Sequence, residues 1–170
     1  MGALWMADDW LILQFERFGH WFQRLTGRTN FFLAALCDLA NSALCVAFGF
    51  WTSDIVYLIF SFFFLSYSIG NLYREKSALG AESRRYMNPM KAVRFFKLMR
   101  VIYPLFGFFV SMGLSGTTGV GIAVIALLGW IAIYLEACDP LPPGTSKIRQ
   151  WLNSMKAALS AEPTPVGVWA

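Results

Sequence analysis

The stretch CDLANSALC (residues 37–45) sets Asp38, Asn41, Ser42 and two cysteines inside a run that is otherwise apolar. A carboxylate placed there admits two chemistries. As a proton or cation site it would mark a pathway across a membrane, because intramembrane carboxyls face a bundle interior or a wet cavity. As a polar latch it would be bonded by Ser42 in its own helix and by Ser68 or Asn71 in the next. Each interhelical bond of that kind is worth about 0.6–2 kcal/mol. Position favours the latch. Seven residues beyond Phe31 is only about 10 Å along a helix, where water penetration and bilayer thinning lower the cost of a charge. A coupled pathway also needs further ionisable groups, and the other candidate, Glu136, falls at the end of the last apolar run.

Other arrangements that could carry chemistry fail on spacing. GTTGVG (116–121) is glycine-rich but lacks the Lys-Ser/Thr pair of a phosphate loop and a strand before it. LEAC (135–138) has the glutamate in the wrong place for a lipid-attachment box. His20 is the sole histidine and has no cysteine or carboxylate cluster at metal-ligand spacing. Cys37, Cys45 and Cys138 form no CxxC pair and read as small packing residues. No enzymatic activity, cofactor or metal is therefore expected.

The elements that must position Asp38 follow from composition. Of 170 residues, 57% are hydrophobic and only 14% charged, against about 25% charged in a soluble domain. The apolar residues fall into four runs, which indicates an all-α integral membrane protein. The expected spans are residues 31–51, 55–73, 97–115 and 120–138, arranged as two antiparallel hairpins. The 21 residues from Phe31 to Trp51 reach roughly 30 Å as a helix, matching a hydrocarbon core. TSD (52–54) and SGTTG (115–119) are the turns, and residues 74–96 form a basic loop. The third span needs Lys97 and Arg100 to snorkel if it is to reach sufficient length, with a kink expected at Pro104.

Amphipathic helices flank this domain. In residues 1–30, Leu11, Phe15, Phe18, Phe22 and Leu25 share a face, with Trp10 and Trp21 suited to the headgroup layer. Asp8, Asp9, Arg17 and Arg24 do not fit a cleavable signal peptide. In residues 139–170, DPLPPG ends the last span, since prolines cannot continue a helix. A short amphipathic helix with Ile148, Trp151, Leu152, Met155 and Leu159 on one face follows, then a disordered tail.

All 14 basic residues lie before residue 31, between 74 and 100, or after 140. The positive-inside rule then puts both termini and the middle loop in the cytoplasm. Compact loops and the absence of an N-x-S/T site favour a bacterial inner membrane. The charge of +4 reflects topology rather than nucleic-acid binding. Arg84, Arg85, Lys91, Arg94, Lys97 and Arg100 could contact anionic lipid headgroups.

Within the first hairpin, Asp38, Ser42, Cys45 and Gly49 share a stripe with Asn41 beside it, and Tyr57, Ser61, Ser68 and Asn71 form another. With a turn near Ser53, Asp38 lies level with Ser68, Cys45 with Ser61 and Gly49 with Tyr57, so the stripes should face each other. In the second hairpin Gly107, Ser111, Ser115 and Gly119 form a small-residue face, with Ala123, Ala126 and Gly129 as its counterpart. The favoured function is a subunit, scaffold or partner-binding component of a membrane complex, through other subunits or self-association. The alternative is a small proton or ion conduit, or a holin-like pore, in which Asp38 titrates.

Overall fold

Long apolar runs removed from water can satisfy their backbone groups internally only as helices or closed barrels, and this chain takes the helical solution. The computed structural model describes residues 2–79, 94–113 and 116–141, with 151, 154 and 155. Its helices are α1 (Gly2–Thr26), α2 (Asn30–Thr52), α3 (Ile55–Leu79), α4 (Arg94–Gly113) and α5 (Gly116–Ala137). Among the described residues three stretches are long and apolar enough to cross a membrane: α2, α3 and Thr118–Ala137 of α5. Arg94, Lys97 and Arg100 occupy the start of α4, leaving about 20 Å of uncharged helix beyond them.

Local chemistry sets the ends. Thr29 caps α2, its side chain accepting the N–H of Phe31 at 3.2 Å. Ser53 closes α2 in a left-handed conformation, φ 55°, and its N–H donates to Gly49 O. Asp54 then caps α3 by accepting the N–H of Val56 at 2.9 Å. Some boundaries differ from the sequence expectation. α3 continues past Tyr73 to Leu79, because Arg74, Glu75 and Lys76 are good helix formers and Glu75 is buried beside Arg28, 3.6 Å away. α5 starts at Gly116, taking Gly116–Gly119 out of the expected turn. Arg84, Arg85, Lys91, Ser115, most of the expected C-terminal helix and the tail lie outside the described residues.

Helix α2 is central, with α3 on one side and α5 on the other, while α4 packs on α5. Glycines permit the close approaches. A Cβ at Gly107 would collide with Ala126, and one at Gly121 with the Phe48 ring. The expected small-residue face therefore meets α5 at Gly107 and Ala126. Gly129 instead lies against Tyr103, and Gly119 is buried. Ala123 does not belong to that contact, because it lies on the exposed side of α5.

Helix α1 docks through a stripe turned away from its most apolar face. Asp8, Gly19 and Gln23 are buried, whereas Trp10, Phe18, Trp21 and Leu25 stay exposed. Phe15 stacks on Tyr134 at 5.2 Å and meets Trp130 edge-on at 6.3 Å. Gln23 holds the chain after α5 in place, donating to Leu141 O at 2.8 Å and accepting from Leu141 N at 2.7 Å.

The anchor of α1 is an ion pair that also corrects the headgroup assignment of Arg100. The Arg100 side chain is 4% exposed and grips Asp8 with two bonds, Nε to Oδ1 at 3.0 Å and Nη2 to Oδ2 at 2.9 Å. Tyr134 donates a third bond to Asp8 Oδ1 at 2.8 Å. A guanidinium so enclosed does not reach headgroups. Removing one partner of a buried pair strands the other charge and typically costs about 3–5 kcal/mol. Arg100→Ala should therefore lower the thermal transition in mild detergent steeply, and adding Asp8→Ala should recover part of the loss. Equal transitions for wild type and Arg100→Ala would contradict this anchor.

Candidate functional site

The polar residues of α2 and α3 form a seam. On α2, Asp38, Asn41, Ser42, Cys45 and Gly49 are buried, and on α3 so are Ser61, Ser68 and Asn71. Most neighbours of these residues on the same helices are exposed apolar side chains, including Leu39, Val46, Phe62, Phe63 and Ile69. The α2 and α3 stripes face each other as their spacing requires. Individual partners fall to either side of the simple turn arithmetic rather than on it. Ser42 and Ser61 share a hydrogen bond of 2.9 Å, Ser68 donates to the Ala35 carbonyl at 2.9 Å, and Gly49 approaches Leu58. The pairs 35–68 and 42–61 run in opposite senses, so the two helices are antiparallel.

Asp38 is 4% exposed, and its cross-helix partner is Asn71, which donates from Nδ2 to Asp38 Oδ2 at 3.0 Å. Ser42 bonds across the helix pair to Ser61, and Ser68 goes to backbone; neither takes the place expected for it beside Asp38. The same Asn71 nitrogen donates to Glu136 Oε1 on α5 at 2.6 Å. Arg74 completes the set, donating from Nη1 to Asn71 Oδ1 at 3.2 Å and to Glu136 Oε2 at 3.3 Å. One amide thus uses its donor nitrogen and its acceptor oxygen to join residues from three helices. Asn30 makes a second α2–α5 tie, donating to the carbonyls of Leu135 at 2.6 Å and Cys138 at 2.9 Å. Those carbonyls lie at the C-terminal end of α5, where Leu135 O also accepts the Cys138 N–H at 3.2 Å and the helical ladder runs out.

The charged groups of the seam gather at the end away from the Ser53 turn. Arg28 pairs with Glu75 and lies over the Phe32 ring, 5.0 Å from its centroid. Farther in, Asn41 is fully buried, and neither its amide nitrogen nor its oxygen has a hydrogen-bond partner. A buried amide left that way costs rather than stabilises. Cys37, Cys45 and Cys138 are not joined in disulfides. Among the described residues no group of three His, Cys, Asp or Glu is placed to hold a metal ion.

The sequence pointed to Asp38, Ser42, Ser61, Ser68 and Asn71, and the structure brings these together. It named Glu136 only as a further ionisable group at the end of an apolar run, and it did not point to Arg74, Asn30 or the pairing of Arg100 with Asp8 and Tyr134. A partial signal existed for two of them: Arg74 and Glu136 sit at the ends of two apolar runs that terminate on the same side. Arg94 and Lys97 lie on α4, and Ser111 is half-buried there.

The fold and seam define a helical protein with helices suited to an integral membrane setting. No protein family matches the chain, and no curated protein or solved structure is significantly similar to it.

Two substitutions separate the satisfied part of the seam from the unsatisfied part. Asn71→Ala removes two interhelical bonds and leaves two buried carboxylates without their shared donor, a loss of about 3 kcal/mol or more. Asn41→Leu replaces an unpartnered amide with an apolar side chain of similar size, a change that is close to neutral or stabilising. Thermal unfolding in mild detergent should therefore show a large drop for Asn71→Ala and none for Asn41→Leu. The reverse order would contradict the seam.

Proposed function

We propose that the chain is a four-span integral membrane protein of a bacterial inner membrane. It acts without catalysis, as a subunit, scaffold or partner-binding component of a membrane complex. α2 and α3 form one membrane hairpin, and α4 and α5 the other, the Arg100 charge on α4 being met by Asp8 rather than by headgroups. Both termini and the segment between α3 and α4 lie in the cytoplasm. The observation that carries this reading is the separation of charge along the helices. Arg28, Arg74 and Arg100, with their partners Glu75, Glu136 and Asp8, occupy one end, and Asp54 stands alone in the turn at the other. A bilayer imposes that separation through the positive-inside rule.

On this reading Asp38 is a latch that holds α2 and α3 to α5. The exposed Trp10, Phe18, Trp21 and Leu25 of α1 lie in the headgroup layer, where aromatic rings are favoured. Arg84, Arg85, Lys91, Arg94 and Lys97 attract anionic lipid. Partner contacts run through the exposed faces of the spans or through self-association.

A second reading, a small proton or ion conduit, is favoured by one observation. Asp38 and Glu136 bond to the same Asn71 nitrogen, so two carboxylates share a buried site with one arginine. Flux separates the readings. In liposomes the latch requires no proton flux from wild type, with Asp38→Asn changing only thermal stability. Flux in wild type that Asp38→Asn abolishes would replace the latch by the conduit.

Topology has its own test. A reporter active only outside the cytoplasm should work when fused at Ser53 and stay silent at Gly80 or the C-terminus. Activity at Gly80 would overturn the four-span arrangement.

A further inference from the structure

The four-helix arrangement is incomplete on one side. Contacts run from α3 to α2, from α2 to α5 and from α5 to α4, but among the described residues α3 and α4 make no comparable contact. Between them lies a cavity of about 550 Å³ with almost wholly apolar walls. Phe60 and Phe63 of α3 form one wall, Val110 of α4 and Ile122 of α5 the other, with Cys45 on the floor and Asp54 among the lining residues. Packed interiors leave few voids larger than a water molecule, and apolar cavities do not hold water well. A space of this size alongside membrane-spanning helices is filled by hydrocarbon.

Size and charge select the occupant. A helix about 10 Å across crossing a core of about 30 Å would take up on the order of 2,000 Å³, several times the cavity. A hydrocarbon chain about 5 Å wide at van der Waals contact and half a bilayer long takes up on the order of 300 Å³. The cavity therefore suits the tails of a single phospholipid. Asp54 is the one formal charge among the lining residues, and no basic residue lines the cavity. Its exposed carboxylate is oriented by the bond from Val56 N. It complements an ammonium group and repels a purely anionic headgroup.

We propose that the gap between α3 and α4 is a lateral binding site for one outer-leaflet phospholipid. The tails lie against Phe63 and Val110, and an amine-bearing headgroup rests at Asp54. This rests on the four-span reading, which places the Ser53–Asp54 turn on the outer face. The protein is extracted in mild detergent, exchanged into an equal mixture of phosphatidylethanolamine and phosphatidylglycerol, and examined by native mass spectrometry.

Wild type should retain one phosphatidylethanolamine, preferred by up to about fivefold, the most a single exposed ion pair contributes. Val110→Trp and Ile122→Trp fill the space from two walls and should lose the lipid. Asp54→Asn preserves the helix cap and should keep a lipid while losing the preference. Wild type without bound lipid, retention unchanged in both Trp variants, or an unaltered preference in Asp54→Asn would each overturn the site. So would a dimer crosslinked through Phe63→Cys, which would put a second copy in the gap. The reporter fusions report on topology independently, so loss of lipid with the expected fusion pattern rejects this site alone.

Discussion

A carboxylate withdrawn from water must find donors, and the packing of this protein turns on how Asp38 finds one. Its donor, Asn71, is itself fixed from two further directions by Glu136 and Arg74. The polar demand of one residue on α2 is thereby met only when α3 and α5 are both in position. Apolar contact alone gives weak selection among helices in a bilayer, because lipid tails are as apolar as leucine. The shared amide supplies the specificity that apolar contact lacks.

The same logic governs the rest of the charged end. Asp8 meets two bonds from Arg100 and one from Tyr134, which fixes α1 against α4 and α5. Glu75 meets Arg28 at the junction between α1 and α2. Each of these buried carboxylates meets a cation from another part of the chain, so the end nearest the basic residues is stapled at several points. The opposite end depends on shape instead. There, Gly49 lets Leu58 close in, Gly107 accommodates Ala126 and Gly121 accommodates Phe48. The unpartnered Asn41 marks the passage between these two regimes.

Much of this was legible in the sequence, for a physical reason. Helical periodicity is strict over a twenty-residue run, so the stripe through Asp38, Ser42 and Cys45 and the stripe through Ser61, Ser68 and Asn71 could be read and matched. The exact partners could not be. A simple turn arithmetic ignores the offset between two helical surfaces, and so it set Ser68 rather than Asn71 nearest in depth to Asp38. Contacts with α5 were harder still, because nothing in the spacing of residues 31–73 says which face another helix will cover. Glu136 and Asn30 acquire their meaning only through that placement. The face by which α1 meets protein was not legible for a related reason. Hydrophobicity marks Phe18, Phe22 and Leu25, yet the small Gly19 and the polar Asp8 and Gln23 mark the face that meets protein.

The claim that Asn71 and Glu136 act as one latch is tested most directly by a double-mutant cycle. Unfolding free energies in detergent would be measured for wild type, Asn71→Ala, Glu136→Ala and the double variant. Residues that share a buried bond show coupling of about 0.5–3 kcal/mol, and such a value, with the double variant losing less than the sum of the single losses, is the expected result. Additive losses would show that the two residues do not share the contact on which α2, α3 and α5 converge.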